Sequence, residues 1–176
     1  MGLFDMFKKA EPAAPAKPEA VEAQAAADVL CAPVSGRVIA MTDVPDPVFS
    51  GEVLGKGCAV WPDEEVVYAP VNGTVTVTMG HAVGIQGDDG VEVLVHIGVD
   101  TVNMNGEGFT GYVKQGDVVK AGQPVIKMDK AKIAAAGYPD CVVVAVSNTP
   151  DFASVELAVD VESTVKAGAA VVKVAR

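Results

Sequence analysis

From Val29 onward the chain is written in valine-rich segments of about 4–8 residues, the length of ordinary strands, separated by clusters of Gly, Pro, Asn and Asp. The turn signals include PVSG at 33–36, VNGT at 71–74 and DDG at 88–90. β-Branched runs bounded by turn residues predict many short strands. Two phrases return: APVSGRV (32–38) as APVNGTV (69–75), and KAGQPVIK (120–127) as KAGAAVVK (166–173). Echoed hairpins predict a sandwich built from related halves. The run VKQGDVVKAGQPV (113–125) suits two strands joined by glycine-dependent turns, with its valines pointing inward. One short helix is predicted over 131–136, AKIAAA, ended by Gly137 in the left-handed cap position. The expected fold class is therefore all-β, an antiparallel β-sandwich with a duplicated motif and little helix.

The pattern changes before Val29. Residues 10–28 are almost all Ala, Pro and Glu, a composition that cannot bury enough surface to offset ordering entropy. A flexible linker is expected there. In residues 1–9, Leu3, Phe4, Met6 and Phe7 cluster before Lys8 and Lys9, so a short amphipathic helix could lie on an anionic membrane surface. The plain alternative is a frayed start that binds nothing. Residues 29–176 form the expected domain.

Composition narrows the function classes. The 176 residues suit one domain plus a tail, and 50% hydrophobic with only 5% aromatic content fits a valine-filled core. A net charge of −10 and the lack of a basic patch with interleaved aromatics argue against nucleic acid. Cys31, Cys58 and Cys141 are odd in number and widely spaced, which suggests neither a disulfide framework nor a zinc ribbon. Without the apolar centre of a signal peptide or a run of about 18 apolar residues, a cytoplasmic location is expected.

Candidate chemistry rests on the only two histidines. His96 stands in VLVHIGV, where a core strand would normally place another valine, and His81 precedes the strand-like AVGI. If the two segments pair around the DDG turn, both imidazoles could meet at one end of a sheet. Zinc would need further ligands, which neither a third histidine nor a nearby cysteine supplies. Acid–base catalysis is a second possibility. A third is covalent phosphoryl carriage, in which one imidazole attacks and the other donates to the phosphoryl oxygens. Two ordinary histidines satisfied in the core are the bland alternative.

The segment GVEVLVHIGVDTV (90–102), followed by GEGF (106–109), closely resembles the phosphohistidine segment of glucose-type enzyme IIA of the bacterial phosphoenolpyruvate-dependent sugar phosphotransferase system. The resemblance extends through APVSG (32–36), DVPDPVF (43–49), GKG (55–57), APVNGT (69–74), VGI (83–85), GDVVKAG (116–122) and SN (147–148), so that it covers essentially residues 29–176. It implies a barrel-sandwich hybrid fold with a duplicated motif. By motif position His96 is similar to the phosphorylated histidine, and His81 to the partner that stabilises the phosphoryl group. Gly98 resembles the residue whose carbonyl orients the phosphorylated ring. Phe49, Val53 and Leu54 match an apolar rim, while Asp46 and Asp100 match acidic positions that would pair with an arginine of HPr. The family usually has threonine where Met79 stands, and Thr78 is the candidate substitute. The implied partners are HPr, which supplies the phosphoryl group, and a cysteine on a sugar-specific IIB domain, expected in trans. The resemblance implies no cofactor, and a zinc held by His81 and His96 only with a partner's carboxylate. The start of the chain also resembles the membrane-associating segment of free-standing members, through Leu3, Phe4, Phe7, Lys8 and Lys9.

Other readings carry less. GEVLGKG (51–57) has the wrong glycine spacing for a phosphate loop, and Gly57 replaces the magnesium-binding hydroxyl. The DKA at 129–131 resembles the turn where lipoyl domains carry a cofactor on lysine, which would make Lys130 the attachment site. A regulatory protein that binds permeases or kinases in its unphosphorylated form is the non-carrier alternative.

Overall fold

The computed structural model describes residues 17–176. In chain order the elements are β1 (Val29–Cys31), β2 (Gly36–Ala40), α1 (Pro47–Ser50), β3 (Lys56–Pro62), β4 (Val66–Tyr68), β5 (Gly73–Met79), β6 (Ala82–Gly87), β7 (Glu92–Ile97), β8 (Phe109–Gly111), β9 (Val118–Val119), β10 (Pro124–Met128), α2 (Lys130–Ala135), β11 (Val142–Val146), β12 (Ser154–Leu157), β13 (Thr164–Val165) and β14 (Ala170–Ala175). Three short 3-10 turns complete them, at Met41–Asp43, Thr101–Met104 and Thr149–Asp151. The large sheet runs β13-β2-β3-β11-β7-β6-β5-β9, and two three-stranded sheets run β1-β14-β12 and β4-β10-β8. Every pairing is antiparallel.

Strand alternation divides the large sheet into two faces. Val93, Val95 and Ile97 of β7 enter the main core, together with Val142, Val144 and Val146 of β11 and residues of both small sheets such as Leu30, Val67, Val125 and Val172. The opposite face carries a second cluster of Ile39, Met41, Val44, Phe49, Ala59, Val99, Cys141, Val143 and Ala145. β11, VVVAV, is buried at every position because it is covered on both faces, which is why its sequence does not alternate.

The echoes in the sequence are echoes in hydrogen bonding. Cys31 N–H donates to Pro70 O at 2.8 Å and Tyr68 N–H to Pro33 O at 2.7 Å; Ala32 N–H donates to Ala169 O and Ala69 N–H to Gln123 O. In return, Gly168 N–H donates to Ala32 O and Gly122 N–H to Ala69 O, both at 2.9 Å. Each half thus repeats one circuit, and β13 pairs with β2 as β9 pairs with β5.

Part of the expected linker behaves differently from its composition. Residues 1–16 lie outside the described residues, but residues 17–28 run as an irregular strap over the domain. Val21 N–H donates to Gly122 O at 2.9 Å and Gln24 N–H to Gly168 O at 2.8 Å, so the strap bridges the two echoed glycine turns. Gln24 Oε1 also accepts from Ala170 N–H at 2.9 Å. Alanine-rich chain holds here through its backbone, which composition cannot signal.

The predicted helix is present as α2, capped by the Asp129 carboxylate at Lys132 N–H and followed by Gly137 at φ 84°. Lys130 is its first residue, and its Nζ donates to Pro62 O at 2.6 Å and lies 3.8 Å from Asp140. A lysine tied into a helix start differs from the free hairpin tip that the lipoyl resemblance required.

Candidate functional site

His96 lies on the face of the large sheet opposite the main core. Its row across the strands reads Ala82, His96, Val143, Ala59 and Ile39, on β6, β7, β11, β3 and β2. Directly opposed residues share a face, so His96 rests on the second cluster rather than in the first. β5 and β6 join through a two-residue turn, Gly80–His81, because Met79 pairs with Ala82. His81 O accepts from Ile97 N–H at 2.8 Å, which ties this turn to the end of β7. At Gly80 a Cβ would come within 2.7 Å of Gly106 Cα, so two glycines let the hairpin tip close against the loop before β8.

The turn and the strand bring the two imidazoles together. Their centroids are 4.7 Å apart with ring planes at 80°, an edge-on arrangement. Phe49 packs against His96 with centroids 4.9 Å apart, and Phe109 lies 6.4 Å from His81. His81 is buried and His96 half-buried. Burial lowers the pKa of His81. His96, whose ring lies against the apolar second cluster, is pushed down to about 4, first by desolvation and then by the neighbouring His81. The Gly98 backbone and the Asp46 carboxylate act in the opposite sense. Both rings are neutral near pH 7, and each therefore has one N–H and one lone pair.

His96 Nδ1 is buried and has no hydrogen-bond partner, the only such side-chain nitrogen or oxygen among the described residues. The Gly98 backbone acts on the ring as an acceptor, yet the contact stops short of hydrogen-bond geometry. Gly98 itself is held at φ 77°, and a Cβ there would collide with Thr101 Cγ2 and Pro139 O. Only glycine fits this position.

The remaining expected residues divide. Asp46 caps α1, its Oδ1 accepting from Val48 N–H at 2.8 Å and Phe49 N–H at 3.3 Å, and so places Phe49 over His96. Phe49 is buried and forms part of the floor, whereas Val53 and Leu54 are exposed. Asp100 is exposed at φ 61° just beyond β7. Thr78 is not brought into the site. It pairs with Val83, a residue of the main core, and it is Met79 that shares the face of Ala82 and His96. A bulge between Val75 and Val77 sets this register, and a bulge has no clear signature in a run such as TVTVTM. Sequence reasoning missed Phe109 as a neighbour of His81 and gave no role to Thr101, which is fully buried. Among the described residues no group of three or more His, Cys, Asp or Glu converges to hold a metal ion.

Residues 28–152 match the family described as phosphoenolpyruvate-dependent sugar phosphotransferase system, EIIA 1. The chain is 43% identical over 127 residues to the PTS system beta-glucoside-specific EIIBCA component of Bacillus subtilis, an alignment covering 71% of this chain and 21% of that one. It is 39% identical over 127 residues to the PTS system glucose-specific EIIA component of Oceanobacillus iheyensis, covering 71% and 77% respectively. The chain thus spans about a fifth of the length of the EIIBCA relatives it matches and most of the glucose-specific one. Its fold is similar to glucose permease IIA from Mycoplasma capricolum, with a TM-score of 0.70 at 33% identity over 82% of this chain and 93% of that one.

Proposed function

The chain belongs to the EIIA 1 family of the phosphoenolpyruvate-dependent sugar phosphotransferase system, and from that membership we propose that it is a phosphocarrier whose His96 takes a phosphoryl group from the phosphohistidine of HPr and passes it to a cysteine of a sugar-specific IIB domain. The observation that carries this reading is the pair of edge-on imidazoles 4.7 Å apart, one with its Nδ1 buried. With Nδ1 covered, Nε2 is the nitrogen a partner can reach. The lowered pKa keeps its lone pair free near neutral pH.

Transfer is then in line. As the His96 Nε2–P bond forms, the N–P bond of the donor histidine breaks and its electron pair returns to the donor ring. His96 becomes a phosphorylated ring bearing positive charge, with its Nδ1–H facing the Gly98 backbone, which favours the charged form of the free ring. Its phosphoryl oxygens fall beside His81, whose N–H donates to them in a site partly closed to water. In the second step the IIB thiolate attacks phosphorus, the His96 N–P bond breaks, and its electron pair returns to Nε2. Exposed Val48, Val53, Leu54 and Val102 offer an apolar surround on which a partner can exclude water. Asp46 and Asp100 supply negative charge for a basic group of HPr.

Incubation with phosphoenolpyruvate, enzyme I and HPr should place acid-labile phosphate on the wild type and on His81→Gln, but none on His96→Gln. Onward transfer from His81→Gln to a IIB domain should fall about 10²–10³-fold, the cost of removing one donor to a developing oxyanion. Label retained on His96→Gln would sink the reading.

No described helix is long and apolar enough to cross a membrane. The reading extends to peripheral contact with an anionic membrane through Leu3, Phe4, Phe7, Lys8 and Lys9. Co-sedimentation with anionic vesicles should be lost on deletion of residues 1–9, and its persistence would remove this part of the proposal.

A further inference from the structure

The second peptide after His96, Ile97–Gly98, is held at both ends by groups that never touch the reacting atoms. The Ile97 carbonyl accepts from the Thr101 hydroxyl, and the N–H of the same peptide unit, on Gly98, donates to Cys141 O at 2.7 Å. The next peptide unit, which carries the Gly98 carbonyl, is fixed through Val99 N–H donating to Pro139 O at 3.1 Å. The Thr101 methyl occupies the space beside Gly98 that a Cβ would need. Thr101 is 0% exposed, and its hydroxyl points back into this loop. Its two ends thus do different things: the hydroxyl sets the tilt of one peptide plane, and the methyl sets how far Gly98 can move.

We propose that Thr101 is a positioning residue for His96: by clamping the Ile97–Gly98 peptide it aims the Gly98 carbonyl at the buried Nδ1, keeps the ring proton there and leaves the Nε2 lone pair outward. A neutral imidazole places its proton on the nitrogen that faces the better acceptor, so a tilt of this one carbonyl decides which nitrogen can attack. The attack itself rests on the phosphocarrier reading, whereas the location of the proton does not.

The test uses the full chain, unphosphorylated, with nitrogen NMR of the imidazoles in the wild type, Thr101→Ser and Thr101→Val. The wild type and Thr101→Ser, which keeps the hydroxyl, should show His96 as the Nδ1–H tautomer. Thr101→Val, which keeps the shape and loses the hydroxyl, should show a mixture of tautomers and take phosphate from phospho-HPr roughly tenfold more slowly, in line with the loss of a group that orients a reactive imidazole. Thr101→Ala serves in the same way where Val does not fold. A wild type with its proton on Nε2 overturns the proposal whatever the variants do. So does a folded hydroxyl-free variant with the wild-type tautomer, even if its uptake falls. A changed tautomer in a protein that accepts no phosphate in any form keeps the positioning role and rejects the carrier reading.

Discussion

His96 is neutral near pH 7 because it gives up hydration against an apolar floor and stands beside a second imidazole, and the same cause ties the fold to pH. The unfolded chain takes up a proton near the ordinary value of 6.5, and the folded ring only near 4. Between these values the unfolded state binds more protons, so the stabilisation is whole above about 6.5 and is lost as pH falls toward 4. The loss is on the order of 3 kcal/mol. Urea denaturation across this window should show the decline in the wild type and a flatter profile in His96→Gln; parallel profiles would contradict the assigned burial. Gly98→Ala should cost on the order of 1–3 kcal/mol for the left-handed backbone alone, with the collision at Thr101 and Pro139 added. His96 stood out in the sequence because an imidazole in VLVHIGV breaks the apolar pattern, and the DDG turn suggested His81 as its neighbour, but their unequal roles came from the family resemblance alone. Thr101 was not legible, since a threonine in a β-rich chain is unremarkable until its burial and its bond to Ile97 O are known.

At the scale of elements, the site depends on short pieces whose ends matter more than their lengths. α1 has only four residues, yet the Asp46 cap and Pro47 at its start hold Phe49 against His96. Four residues are too few to show a helical period, so the helix was not predicted, although an Asp–Pro step is a helix start signal. Asp46→Asn keeps a capping oxygen and removes the charge, whereas Asp46→Ala removes both. Thermal unfolding should therefore report a loss of about 1 kcal/mol for Ala and little for Asn. Phosphoryl uptake from HPr should fall in both, because under the proposed docking the carboxylate also supplies negative charge for a basic group of HPr. Equal stability of all three proteins would show that the cap does not hold α1. The pairing of the two histidine segments around the DDG turn was placed correctly in outline, as Ala82 of β6 opposite His96 of β7 shows. The bulge after Val75, which exchanges the faces of Thr78 and Met79, was not legible.

Across the whole molecule, duplication places the site near the middle of the large sheet and leaves the strap on the two echoed glycine turns. The repeated phrases made the halves legible, because turn chemistry is local and is written in Gly, Pro and Asn. The strap was not legible, because backbone donors belong to every residue except proline and leave no mark in composition. Val21→Pro removes one donor, and loss of residues 17–26 removes the strap; each backbone bond contributes about 1 kcal/mol, so the melting temperature should drop by roughly 2–4 °C per bond lost. An unchanged melting temperature on removal of the strap would show that it adds nothing to the fold. The proposed transfer turns on one atom, which phosphorus–nitrogen correlation NMR on the protein phosphorylated through enzyme I and HPr would identify. Coupling of the phosphoryl group to Nε2 of His96 is the predicted result; coupling to Nδ1 of His96, or to either nitrogen of His81, would contradict the account.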